Sequence, residues 1–245
     1  MPADYRSSHL EKGADYDAGL AQDAFDAYMA RREREILLRV VPRLFPHGIP
    51  RYLDFACGTG RITSLLETYA GESYGIDLSE SMLAQARRRC SRSSFVVGDI
   101  TREPCALSRF NLITAFRFFG NAQDELRSAV LGKLHALLAD DGYLILNDHR
   151  NPWSTRNLVA RLHGEQPDVD LSHRKLHRLL EDSGFRARRT HGIGFWIVRD
   201  KINQQRVLES RLASWLEPLS RLPLFGTLCP DAVIVATKRP LGGRD

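Results

Sequence analysis

From residue 51 onward the chain alternates short apolar runs with longer segments whose apolar residues recur every three or four positions. The runs "RYLDFA" (51–56), "SYGID" (73–77), "SFVVG" (94–98), "FNLITAF" (110–116) and "YLILN" (143–147) have the length and the β-branched or aromatic content of strands. Between them, "RITSLLETYA" (61–70), "SESMLAQARRRC" (79–90) and "DELRSAVLGKLHALLADDG" (124–142) carry the helical period. Ser79 is placed as an N-cap, and Gly142 as the residue that closes the third of these helices. "LSHRKLHRLLEDSGF" (171–185) repeats the arrangement with a serine cap, a periodic helix, a terminal Gly184 and a strand from Phe185, and "DAVIVATKR" (231–239) supplies a seventh strand. Such alternation predicts an α/β fold with a mostly parallel sheet built from right-handed crossovers.

Three segments stand outside the alternation: 1–45, 148–170 and 195–230. The first holds a long amphipathic helix, "AFDAYMARREREILLRVVPRLF" (24–45), the second a helix after Pro152, and the third a helix around 200–217. Additions of this kind build a lid or rim over a shared core. The expected organisation is one domain over 1–245, with a helical arm at 1–45, a ligand-binding half at 50–147 and a second half with helical insertions at 148–245.

At 245 residues with 43% apolar content the chain buries a substantial core, and 27% charged residues is the composition of a folded domain. A net charge of +5 invites a search for a nucleic-acid footprint. The clusters "RRERE" (31–35), "ARRRC" (86–90) and "FRARR" (185–189) are short, mixed with acids or set on faces expected to be solvated, so nucleic acid is not the expected partner. The four cysteines (57, 90, 105 and 229) lack CxxC spacing, which points to reduced thiols, no metal site and a cytoplasmic setting. The first thirty residues contain acids throughout, and no run approaches the ~20 apolar residues of a membrane span.

Candidate chemistry begins at "LDFACGTGR" (53–61), the turn from the first strand into the first helix. Glycines there let backbone approach a ligand, and the N–H groups of a helix start favour a polar or anionic group. "YGIDLSESM" ends the second strand at Asp77, where a carboxylate accepts both hydroxyls of a ribose. "VVGDI" ends the third at Asp99, where an acid accepts an exocyclic amine of an adenine held between Leu78, Met82 and Ile100. The result is an adenosine pocket. A nicotinamide site would have a third glycine where Thr63 stands, and no P-loop motif is present.

Together "LDFACGTGR", "YGIDLSESM", "VVGDI" and "LLADDGYLIL" resemble the successive motifs of the class I S-adenosylmethionine-dependent methyltransferases, over about residues 50–147. The resemblance implies a Rossmann-like sheet of seven strands in the order 3-2-1-4-5-7-6, with strand 7 antiparallel. It implies S-adenosylmethionine as donor and S-adenosylhomocysteine as product. Carried onto this sequence, Asp54, Ala56, Gly58 and Gly60 would cradle the methionine portion, Asp77 and Leu78 the ribose, Asp99 and Ile100 the adenine, and Phe116 the methionine side. Ala56 stands where the family commonly has glycine, and Asn111 where strand four often has aspartate.

The loops "AFRFFGN" and "LILNDHRNPW" look like those of the small-molecule branch, which suggests an N or O acceptor in secondary metabolism. Arg117, Phe119, Asn121 and Trp153 are the expected acceptor contacts, and packing is the alternative for the aromatic residues. His149 is the candidate base with Asp148 orienting it, set against a histidine without a role. In related enzymes an arm folds over the donor, which would place Tyr16 at the methyl group and Arg31 on the methionine carboxylate. The alternative is a helix packed by its apolar stripe. No metal is expected, since strand four ends in Phe-Arg-Phe and not in an acid. The chain is expected to be a monomer or homodimer. An RNA or protein methyltransferase, and a non-catalytic donor-binding module, remain as rival readings.

Overall fold

The computed structural model describes residues 24–102, 109–149, 151–162, 164, 170–195 and 215–239. In chain order these form α1 (Ala24–Leu44), β1 (Ile49–Phe55), α2 (Thr63–Leu66), β2 (Ala70–Asp77), α3 (Glu80–Arg89), β3 (Ser93–Val97), β4 (Phe110–Ala115), α4 (Asp124–Leu137), β5 (Leu138–Asp148), α5 (Thr155–Leu162), α6 (His173–Asp182), β6 (Phe185–Ile193), α7 (Pro223–Gly226) and β7 (Asp231–Lys238). The strands make one sheet in the order β3-β2-β1-β4-β5-β7-β6. Neighbours from β3 to β5 are parallel, and β7 runs antiparallel to both β5 and β6. This is the expected sheet.

Strand side chains alternate between two cores, as the period of two requires. Leu53, Ile113, Leu144, Leu146, Ile234 and Ala236 face α4 and α6, which contribute Val130, Leu131, Leu134, Leu176 and Leu180. Tyr52, Leu112, Ile145, Val233 and Val235 face α1, which contributes Met29, Ile36, Leu37, Val40 and Val41. Each such aliphatic side chain contributes roughly 1.5–3 kcal/mol on burial. The buried stripe of α1 contains one charged member, Glu33, at 0% exposure.

Two helix ends differ from expectation. "RITSLLETYA" is helical only at Thr63–Leu66, then tightens to a 3-10 turn at Glu67–Tyr69. The Glu67 carboxylate accepts from the Ser91 and Arg92 amides and the Ser93 hydroxyl, pinning that turn to the start of β3. Helix α4 stops at Leu137, so Gly142 does not close it. Leu138 is already extended and pairs with Phe110, and β5 runs through Gly142 beside a bulge in the β4–β5 register. A Cβ at Gly142 would meet the Leu138 side chain and the Phe110 carbonyl at 2.9 Å, so the glycine serves that close packing. The caps at Ser79 and Ser172 form as expected, each hydroxyl accepting an amide of the first turn, and Gly184 takes a positive φ of 82°. The helix expected around 200–217 lies, up to residue 214, outside the described residues.

Candidate active site

Three of five residues after β1 adopt left-handed backbone: Ala56 (φ 53°), Gly58 (φ 53°) and Gly60 (φ 77°). The turn bends the chain so that the Gly58 amide donates to Asp77 Oδ2 at 2.8 Å. The Ser79 amide donates to Asp77 Oδ1 at 2.9 Å, so each carboxylate oxygen is aimed by one backbone N–H. A carboxylate held in this way can accept the paired hydroxyls of a ribose. Asp99, one strand over, is fixed by the amide (2.8 Å) and hydroxyl (2.6 Å) of Thr101 on Oδ1.

Asp54 is buried, and its oxygens accept the hydroxyls of Thr63 (2.6 Å) and Thr114 (2.7 Å). Burial pushes its pKa up to about 6 against those hydroxyls, and Arg61 opposes the rise. The residue that broke the nicotinamide pattern, Thr63, thus has a structural task on Asp54.

Asp54, Ala56, Gly58, Asp77, Leu78, Met82, Asp99, Ile100, Phe116 and Arg117 line one cavity at the ends of β1, β2, β3 and β4. Arg61, Ile62 and Phe118 also line it and were not anticipated. Gly60 is not among the lining residues. Its missing Cβ would stand 3.0 Å from Ala86 Cβ and Cys90 Sγ, so the glycine admits α3 and not a ligand. Adenosyl chemistry fits: a pinned acid at the β2 end, a second acid at the β3 end, and Met82 and Ile100 as apolar walls between.

Residues 53–142 match the family described as a methyltransferase domain. That stretch, from β1 to β5, is thus similar to the S-adenosylmethionine-dependent methyltransferases. It is 30% identical over 140 residues to demethylmenaquinone methyltransferase of Thermotoga maritima, a match covering 56% of this chain and 57% of that one. It is 39% identical over 89 residues to trans-aconitate 2-methyltransferase of Acidovorax ebreus, covering 35% and 32%. The chain therefore spans about half or less of the length of these relatives. The fold is similar to that of magnesium protoporphyrin IX methyltransferase from Synechocystis PCC 6803 with bound SAH, with a TM-score of 0.63, 16% identity, and coverage of 95% and 97%.

Several expected site residues lie elsewhere than the sequence placed them. Arg31 is exposed and stacks on the Tyr28 ring at 5.2 Å, outside the donor cavity, because it sits on the solvent side of the α1 stripe. Phe119 is wholly buried against Phe118 in the core below the cavity. Trp153 is 59% exposed and carries the Arg161 guanidinium over its ring. Asn121 is not in the lining either, and its amide donates to the Arg117 carbonyl at 2.8 Å, holding the turn after β4.

The histidine–aspartate pair exists with a different histidine. Asp148, at the end of β5, bonds His173 Nδ1 at 2.6 Å, and His173 Nε2 faces the Cys229 carbonyl at 3.0 Å. With acceptors at both ring nitrogens, the imidazole is favoured as the cation. Burial would lower the His173 pKa, but Asp148 outweighs it and the value is raised. His149 is buried against Gly120, whose absent Cβ would meet its ring at 2.8 Å, and it is outside the cavity lining. Tyr16 lies outside the described residues. Among the described residues no group of three or more His, Cys, Asp or Glu is placed to hold a metal, and no helix is long and apolar enough to cross a membrane.

Proposed function

We propose that the chain moves the methyl group of S-adenosylmethionine to a nitrogen or oxygen of a small-molecule acceptor. The observation that carries the reading is the Asp77 carboxylate, aimed by the Gly58 and Ser79 amides into a cavity shared with Asp99, Met82 and Ile100. The donor supplies an electrophilic sulfonium methyl. The protein's part is alignment and water exclusion, because an in-line displacement gains most from held geometry. Phe116 and Phe118, both nearly buried, wall the side of the cavity where β4 ends. Relatives named for small acids and quinone precursors support a small acceptor. With His149 outside the cavity, an acceptor that is nucleophilic without a protein base fits this site best. Calorimetric titration with S-adenosylmethionine, S-adenosylhomocysteine and NADH tests the reading: micromolar binding of the two adenosyl ligands alone is expected, and NADH binding or no binding to folded protein refutes it.

One observation favours a second reading, a polyanionic acceptor. Arg39, Arg43, Arg174, Arg186, Arg188 and Arg189 line a groove along β6 in which Glu181 is the one acid among the lining residues. Binding to RNA that weakens steeply with salt would support it, and salt-insensitive or absent binding would remove it.

A further inference from the structure

Glu33 occupies a position that the α1 stripe would otherwise give to an aliphatic residue, and it is fully buried. One of its oxygens accepts from Arg61 Nη2 at 2.7 Å, the other from Asn147 Nδ2 at 2.7 Å. The same Asn147 accepts the Arg117 amide on its Oδ1, at the first residue after Phe116. Arg117 holds a left-handed φ of 59°, a conformation that costs an L-residue energy, and its guanidinium pairs with Asp26 of α1 at 3.0 Å. Two cavity arginines are therefore each tied to a carboxylate of α1. A buried charge is retained only where its partners matter, since an unpaired one is expensive.

Resting on the donor reading above, we infer that Glu33 is a positioning residue: it holds Arg61 where its remaining N–H groups receive the carboxylate at the amino-acid end of the donor. The cavity supports this polarity. Along the strand order β3-β2-β1 the lining runs from Asp99, just after β3, through Asp77 at the end of β2 to Asp54 in β1, and Arg61 lies near enough to Asp54 to hold its pKa down, one acid and one base for an ammonium and a carboxylate. Arg61 presents several donors in a fixed fork, and Glu33 uses one nitrogen, so the guanidinium is oriented and still has N–H groups to offer. Donor-tail recognition is in this way coupled to the seating of α1.

The test compares S-adenosylhomocysteine with 5′-methylthioadenosine, which keeps the adenosine and sulfur but lacks the amino-acid end. Both are titrated calorimetrically into the full chain, its Glu33→Gln variant and its Arg61→Gln variant. Glu33→Gln keeps the side-chain size and an acceptor for Asn147, and methylthioadenosine binding reports that the cavity is still formed. The expected result is a loss of about tenfold in S-adenosylhomocysteine affinity in each variant with methylthioadenosine affinity within about twofold of the parent. Equal losses for both ligands would show a merely structural Glu33 and overturn the inference, as would unchanged affinity for both. If the unmodified chain binds neither ligand, the donor reading itself fails and this inference falls with it.

Discussion

Gly58 and Gly60 stand two residues apart in one turn, both with positive φ, yet the structure gives them separate tasks that substitution separates. At Gly60 an added methyl would come within 3.0 Å of Ala86 Cβ and Cys90 Sγ and 3.2 Å of the Ala86 Cα, so helix α3 has to give way. Gly60→Ala therefore combines a left-handed penalty of about 1–2 kcal/mol with overpacking of about 1–3 kcal/mol, a sum of roughly 2–5 kcal/mol. For a chain of this size that lowers Tm by roughly 5–15 °C. Gly60 is outside the cavity lining, so S-adenosylhomocysteine affinity, titrated well below the transition, should stay within about twofold. At Gly58 the added methyl meets only Met82 Sδ at 3.4 Å, an ordinary contact, so the stability loss should be limited to the backbone strain of about 1–2 kcal/mol. That methyl enters the gap between two residues that wall the cavity, and affinity should drop on the order of fivefold. Thermal melts and calorimetry on the two variants read both numbers. If Gly60→Ala lost affinity and kept its Tm, the assignment of Gly60 to helix packing would be wrong.

Replacing Asp77 with Ala should weaken S-adenosylhomocysteine binding at least tenfold and also lower Tm by a few degrees, because the Gly58 and Ser79 amides lose their acceptor. Undiminished affinity in titration would mean that the ribose lies elsewhere. Arg31→Ala should leave donor affinity unchanged, since Arg31 is exposed on α1; a tenfold loss would restore the arm's arginine to the cavity. The raised pKa of His173 sets a pH dependence: the stability it contributes through Asp148 is fully present below the unfolded value near 6.5 and is lost as pH rises through the folded value. Melts from pH 6 upward should thus show a fall in Tm that His173→Gln flattens, and parallel slopes for the two proteins would sink the assignment.

The sheet was legible because every strand that builds it announces itself locally by run length and flanking turn. The cavity acids were legible for a related reason: Asp77 and Asp99 sit at strand ends, where a parallel sheet gathers its ligands. What failed were pairings between elements. Asp148 and His149 are adjacent in sequence, yet β5 ends at Asp148, and the partner of Asp148 arrives 25 residues later on α6. Phe119 looked like a pocket wall by composition, and only packing against Phe118 and α4 assigns it to the core. Glu33 was detectable in principle. A charged residue at a core position of the stripe Met29, Glu33, Ile36, Leu37, Val40 breaks the period and signals a buried partner, but the charge-rich surroundings "RREREI" hid the break. Arg61 was overlooked because it closes the glycine motif and reads as its solvent-facing end.

Among the described residues, all that line the donor cavity fall between Asp54 and Val130, from the end of β1 to the middle of α4. The described wall of the donor pocket is thus a nearly continuous passage of the chain, to which β6 and β7, the strands that complete the sheet, contribute no residue. Such an arrangement separates inheritance from novelty: the portion after β5 can be exchanged, lengthened or rewritten to greet another acceptor while the donor pocket passes on unaltered. The exception is α1, whose Glu33 and Asp26 reach the two cavity arginines from outside that passage. A chimera built at the β5 boundary should therefore carry its own first helix with it.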